Sequence, residues 1–339
     1  MYKASKAFFL QAISPVHAGS GNDLGVIDLP IQREKHTAFP KIESSSLKGC
    51  IREAFENQDD TAIDDLLIKG GNAGGKSISL QDFGNGLDTL TRVRANYAHT
   101  IQLLFGYDED SATPEVRREF EGNSEFSGCL AFTDARLLLF PVKSMRGVFA
   151  WITCPMVLKR LAADMEMIST PLQLQTVAVT EGSAITGNET LLDVSGNVIL
   201  EEFAFSLSKN QQVFDQLKKI PALADKLNRV VILSDDDFTD FVKNSTEVIT
   251  RIKIDNETGT VATGALFNEE YLPAESLLYF MTFASQVFRK KEGKGIFAGA
   301  AKEWDTAMDI FSKGMPRVLQ IGGNATIGKG LVQVISGKE

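Results

Sequence analysis

The sequence predicts an α+β fold, on three observations. Strand-like runs are interspersed with segments of helical periodicity. Two stretches echo one another: FPKIESSSLKG at residues 39–49 and FPVKSMRG at 140–147 share Phe-Pro, a short spacer, then Ser, an apolar residue, a base and Gly. The 339-residue chain is 43% hydrophobic and 23% charged. That composition is globular, and the length suits about two domains or one large domain with insertions.

In chain order, the first strand is expected at residues 7–14. Lys3 and Lys6 precede AFFLQAIS as in a signal peptide, but Gln11 interrupts the run and no small-x-small cleavage site follows. After the first echo, Leu47, Cys50, Ile51, Ala54 and Phe55 have helical spacing, with Ser46 as N-cap. A Gly- and Asn-rich loop spans 70–86. A strand at 136–140 leads into the second echo, where Met145, Val148, Phe149 and Ile152 repeat the helical spacing behind Ser144. The pair therefore reads as a duplicated α+β unit. Helices are expected at 155–167, 211–228 and 275–288. Strands are expected at 173–179, 198–207, 230–233, 248–253 and 331–335. A long β-hairpin is expected at 191–205, turning at Ser195-Gly196-Asn197.

Cys50, Cys129 and Cys154 lie far apart without a Cys-x-x-Cys, which excludes a disulfide framework and a zinc ribbon. The longest apolar stretch, 147–158, is too short to span a bilayer. A soluble cytoplasmic protein is expected, with no membrane partner. The net charge of −9 argues against nucleic acid when read globally. Its distribution argues otherwise. Residues 181–247 hold 12 acids and six bases, whereas Arg136, Lys143, Arg146, Lys159 and Arg160 stand in a stretch with no acid between Asp134 and Asp164. Further basic runs lie at 286–302 and 310–338, and the acidic segment is expected to face solvent or basic partners.

IGGNATIGKGL approaches a phosphate-binding P-loop, but Gly330 stands where Ser or Thr must bind magnesium, and no helix follows. A nucleotide hydrolase is rejected. What remains is either a tight turn before the last strand or a Gly-rich loop whose N–H groups at Gly322 and Gly323 approach phosphate beside Lys329. The loop HAGSGNDLGVIDLPIQREKH carries His17, Asp23, Asp28, Arg33, Glu34 and His36; an Asp there forms a turn, binds metal or handles a proton. His17, His36 and His99 lack metal spacing. Ser46-Leu47-Lys48-Gly49 and Ser144-Met145-Arg146-Gly147, with Lys143 beside the second, combine free N–H groups and a cation at helix starts. Two anion sites plus a Gly-rich loop suit a repeating polyanion such as RNA.

The segments HAGSGNDLGVIDLPIQREKHTAFPKIESSSLKG, SGCLAFTDARLLLFPVKSMRGVFAWITCP, TGALFNEEYLPAESLLY and IGGNATIGKG resemble, in order, the repeating backbone subunit of the type III-B CRISPR Cmr effector complex, within the RAMP superfamily. The resemblance covers both ends and most of the middle, and is weakest over about 170–244. It implies one RAMP domain over residues 1–339: an RRM-like (ferredoxin-like) palm, a helical or loop insertion at about 57–128, and a thumb-containing one at about 170–245. The hairpin at 191–205 is the candidate thumb. Implied partners are CRISPR RNA, single-stranded target RNA, further copies of the chain and other Cmr subunits. The implied activity is metal-dependent endoribonuclease cleavage, with Mg2+ or Mn2+, by attack of a 2′-OH on the adjacent phosphate. The Asp of the family's GVxD motif corresponds to Asp28, with His17, Glu269 and Tyr271 as secondary candidates and Lys48 in the guide-contacting SLKG motif. The alternative is a structural RNA-binding subunit that cuts nothing.

Overall fold

The computed structural model describes residues 2–21, 26–59, 63, 89–110, 112, 114–119, 125–255, 257–290 and 293–336. Its strands are β1 (Ala4–Ala12), β2 (Lys41–Ile42), β3 (Gly106–Tyr107), β4 (Phe126–Ser127), β5 (Leu130–Phe132), β6 (Ala135–Lys143), β7 (Phe149–Thr153), β8 (Ser183–Thr186), β9 (Asn197–Leu200), β10 (Phe203–Lys209), β11 (Val230–Leu233), β12 (Glu247–Ile254), β13 (Val261–Tyr271), β14 (Leu277–Ala284), β15 (Val318–Gln320) and β16 (Leu331–Ser336). The expected loop at 70–86, together with Asp23 and Gly25, lies outside the described residues. The chain divides into two compact units, one made of 1–6, 47–133 and 281–316, the other of 7–46, 134–280 and 317–339.

The first unit is built on helices. Leu47, Ile51 and Phe55 form the buried stripe of the helix Ser44–Glu56, at i, i+4 and i+8. The Phe55 ring stacks on Phe311 of the helix Glu303–Gly314 at 5.8 Å, and Tyr97 of the helix Thr89–Phe105 donates its hydroxyl to the Phe55 carbonyl. The second unit is built on a mixed sheet running β15-β16-β1-β14-β6-β7-β11-β8-β10-β9, with β2 on β6. The β7–β11 and β8–β10 pairs are parallel. The helix Pro155–Met167 starts with Pro at its first position and buries Val157, Leu158, Leu161 and Met165. Its Asp164 accepts from Arg136 and from the Tyr279 hydroxyl, both at 2.7 Å. Pairing of β12 with β13 makes a separate two-stranded hairpin.

Several expectations fail for identifiable reasons. The second echo is not a helix start but a β-hairpin: β6 runs through Lys143 and returns as β7, so the two echoes are not a duplicated unit. Gly147 (φ +78°) and Val148 (φ +73°) turn the chain, and the Ser144 N–H meets the Val148 carbonyl at 3.0 Å. The run Phe149-Ala-Trp-Ile-Thr favours a strand once β6 offers an edge. The helix expected at 275–288 is the strand β14, buried at every position except Phe283. Such a doubly buried run carries no alternation to distinguish it from a buried helix. Of the helix expected at 211–228, only Gln211–Leu217 forms, with turns around Pro221 beyond it. Residues 173–179 form no strand; there the Gln175 N–H donates to the Gln216 side chain instead. The segment 191–205 is not one long hairpin. Ser195 and Gly196, both at positive φ, close a small turn, and β9 then pairs with β10 inside the sheet.

Candidate functional site

The hairpin register supplies the first part of the site. Glu247 opposes Tyr271, Ile249 opposes Glu269 and Arg251 opposes Phe267. Because side chains alternate along a strand, Arg251, Glu269 and Tyr271 share one face, and Asn268 and Glu270 the other. On the first face the Arg251 Nε donates to Glu269 Oε2 at 2.6 Å, and the Tyr271 hydroxyl donates to the same oxygen at 2.6 Å. Arg251 also donates to the Tyr271 hydroxyl.

Two loops complete this cluster. Val16 bridges Leu272 through paired backbone hydrogen bonds, which places the adjacent His17 against the strand. His17 Nδ1 lies 2.7 Å from the Glu270 carbonyl, so that nitrogen carries a proton; Nε2 lies 3.6 Å from Glu269 Oε1. From the Gly-rich loop, Asn324 Nδ2 donates to Glu269 Oε1 at 2.6 Å and to the Tyr271 hydroxyl at 3.0 Å. Gly322 explains why this loop needs glycine: φ is +80°, and a Cβ there would stand 2.1 Å from the His17 carbonyl oxygen. The Gly323 N–H donates to that same oxygen at 3.0 Å, and Lys329 Nζ sits 5.0 Å from the centre of the Tyr271 ring.

Glu269 is 4% exposed. Burial alone would raise its pKa, but the hydrogen bonds from Tyr271, Asn324 and Arg251, with the His17 charge, hold it below the ordinary carboxylate range. Burial, reinforced by the bond to Glu269, pushes the Tyr271 phenol up.

Asp28 stands at the rim of this assembly. Leu29 pairs with the edge of β13: its N–H donates to the Asn268 carbonyl, and its own carbonyl accepts from the Glu270 N–H, both at 3.0 Å. Asp28 Oδ2 accepts from the Asn268 N–H at 2.7 Å. The side chain is exposed, and its Oδ1 accepts nothing from the described residues. The structure thus separates two kinds of carboxylate. Glu269 has its acceptor positions occupied, whereas Asp28 is pinned at one oxygen and open at the other.

The structure therefore brings together His17, Asp28, Glu269, Tyr271, Gly322, Gly323 and Lys329. Ser46 is not an N-cap: the helix begins at Ser44, whose N–H is taken by Asp134 Oδ1 at 2.9 Å. The Ser46 hydroxyl instead accepts from Gln32 Nε2, which also donates to the Gly19 carbonyl in the N-terminal loop. In the helical unit, Lys48 lines a polar pocket with Arg52, Gly106, Tyr107 and Phe126, next to exposed Gly49. Desolvation there, with the Arg52 charge, lowers the Lys48 pKa. Lys143, Ser144 and Arg146 sit on the β6–β7 hairpin with no helix dipole behind them. Ser144 Oγ donates to the Ile199 carbonyl and Arg146 to that of Asp193. Sequence reasoning missed Arg251, Asn324 and Glu270; the strict alternation of β12 and β13 is the signal that pairs Arg251 with Glu269. Among the described residues, no group of three or more His, Cys, Asp or Glu is placed to hold a metal ion.

Residues 9–333 match the family model described as the RAMP superfamily. The CRISPR system Cmr endoribonuclease Cmr4 of Pyrococcus furiosus is 32% identical over 335 residues, covering 96% of this chain and 93% of that protein. The crystal structure of oligomeric Cmr4 from Pyrococcus furiosus superposes with a TM-score of 0.61 at 26% identity, over 98% of each chain. A cryo-EM structure of the type III-B Cmr-beta complex bound to cognate target RNA shares the fold, with a TM-score of 0.64 at 23% identity over 99% of this chain and 98% of that one. This chain belongs to the RAMP superfamily and, within it, to the Cmr4 family of the CRISPR Cmr system.

Proposed function

We propose that this chain is the repeating backbone subunit of a cytoplasmic type III-B CRISPR effector, that it binds CRISPR RNA, and that it cleaves the paired target RNA at regular intervals. One observation carries the reading. An open carboxylate, Asp28, is fixed beside the His17–Glu269–Tyr271 cluster in a chain that matches an endoribonuclease along nearly its whole length. Further copies of the chain and other Cmr subunits are its partners. The sheet serves as an RRM-like palm, and the β12–β13 hairpin, which stands outside that sheet, is a better thumb than 191–205.

Cleavage proceeds by attack of a deprotonated 2′-OH on the adjacent phosphate, which breaks the bond to the 5′-oxygen of the next nucleotide and leaves a 2′,3′-cyclic phosphate and a 5′-OH. Asp28 Oδ1 is the atom available to take the proton or to position a cation, while the Asn268 N–H prevents the carboxylate from rotating. The described residues form no metal cage, and one open carboxylate oxygen fits an ion that shares its remaining ligands with water and RNA phosphate, as Mg2+ does. Bound there, Mg2+ or Mn2+ supplies charge neutralisation at the phosphate. Lys329 and the Gly322 N–H, with Lys48 and Ser46, contact the RNA backbone, whereas the Gly323 N–H expected to do so is already held by the His17 carbonyl.

The test is Asp28→Ala, assembled with guide RNA and partner subunits. Target binding should persist while cleavage falls by about 10²-fold or more. Full-rate cleavage would overturn the catalytic assignment and leave a structural RNA-binding subunit. Mapping fragments with and without Mg2+ tests the cation.

A further inference from the structure

We propose that Glu270, which the cleavage chemistry does not use directly, is the positioning residue that sets Asp28 and His17 relative to one another; the proposal rests on the reading of Asp28 given above. Glu270 is 2% exposed, and its carboxylate is turned away from the Glu269 face. It accepts from the Ile31 N–H at 3.0 Å through Oε2, and from the Thr246 hydroxyl at 2.8 Å and Arg33 through Oε1. Arg33 is itself fixed by the carbonyls of Ala38, at 2.8 Å, and Val242, at 2.9 Å. The main chain of Glu270 contributes as well: its N–H holds the Leu29 carbonyl and its own carbonyl receives His17 Nδ1.

Asp28 lies between these attachments. Its side chain is tied to Asn268, and Leu29, Ile31 and Arg33 on its C-terminal side are all held by Glu270. A buried carboxylate with three donors, one of them a guanidinium, costs a great deal to leave half-satisfied, so the loop has one low-energy seat. The same residue seats the imidazole. A single strand position thereby fixes an open carboxylate and a proton-carrying ring, and errors of about 1 Å in such groups cost on the order of 100-fold in rate.

The experiment compares Glu270→Gln, Arg33→Met and Asp28→Ala, each assembled with guide RNA and partner subunits. Three quantities are measured: target affinity, single-turnover cleavage rate, and backbone hydrogen exchange over residues 26–33. Glu270→Gln keeps a single acceptor oxygen, enough for the Ile31 N–H or for Thr246 and Arg33 but not for both, and loses the charge facing Arg33. It should lower the cleavage rate roughly 10- to 100-fold at unchanged target affinity, and raise exchange over 26–33. Arg33→Met should do the same, and it decides the matter if the Gln variant fails to assemble. Combining Glu270→Gln with Asp28→Ala should add nothing to the loss from Asp28→Ala alone. Wild-type cleavage by the assembled variants, with Asp28→Ala inactive, would overturn the positioning role. Wild-type cleavage by Asp28→Ala would instead overturn the catalytic reading on which it rests.

Discussion

Glu269 and Glu270 are chain neighbours with the same side chain and nearly the same burial, yet they serve different parts of the molecule. Glu269 gathers Arg251 from the facing strand, Asn324 from the Gly-rich loop and the Tyr271 hydroxyl, with His17 nearby. Glu270 gathers Ile31 and Arg33 from the N-terminal loop, and Thr246. Their chemistry does not differ; the alternation of the strand does the sorting. The same rule makes the arrangement vulnerable to register, because a shift of one residue would exchange the two faces.

Breaking the Glu269 face from outside should have the largest effect on stability. Gly322→Ala puts a methyl group 2.1 Å from the His17 carbonyl oxygen at a φ of +80°, so the Gly-rich loop must lift and take Asn324 with it. The cost should be on the order of 3 kcal/mol, read as a lower midpoint of urea unfolding. An unchanged midpoint would show that the loop does not rest on His17.

The second test asks whether the two faces are independent. Glu269→Ala leaves Arg251 without its carboxylate. Because the Arg251 side chain keeps 26% exposure, the loss should be about 2 kcal/mol, below that for a fully buried pair. A double-mutant cycle with Arg251→Ala should show strong coupling, whereas combining Glu269→Ala with Thr246→Val, on the opposite face, should be additive. Coupling of Glu269 to Thr246 as strong as to Arg251 would mean that the strand transmits between its faces and that the division is only geometric.

Much of this site was legible in the sequence, but through different signals. His17, Asp28, Glu269 and Tyr271 follow from the resemblance of ordered segments to the Cmr family, not from local spacing, and the structure brings them to one strand. Asn324 and Glu270 were missed because their partners lie far off in the chain: Asn324 meets a residue 55 positions away, and Glu270 binds Ile31 across 239. No local spacing announces such pairs. The two Ser-x-base-Gly echoes show the opposite failure. Local similarity was real, but SLKG is followed by a stripe with helical period and SMRG by β-favouring residues with an edge to join. The helix expected over 275–288 failed because a run buried on both faces has no period to read.

The smallest expected effect concerns protons, and it distinguishes the Glu269 carboxylate by its titration. Burial raises the Glu269 pKa, but its donors outweigh that and leave the folded-state value below the ordinary one. A carboxylate depressed by folding contributes stability that is fully present above its unfolded value, about 4.3, and is lost as the pH falls through the folded value. Stability of the wild type should therefore decline more steeply than that of Glu269→Gln between roughly pH 5 and pH 3, although the variant begins lower. Chemical denaturation at a series of pH values measures both slopes. Parallel curves would mean that protonating Glu269 costs the fold nothing, and that Tyr271, Asn324 and Arg251 hold the cluster together without its charge.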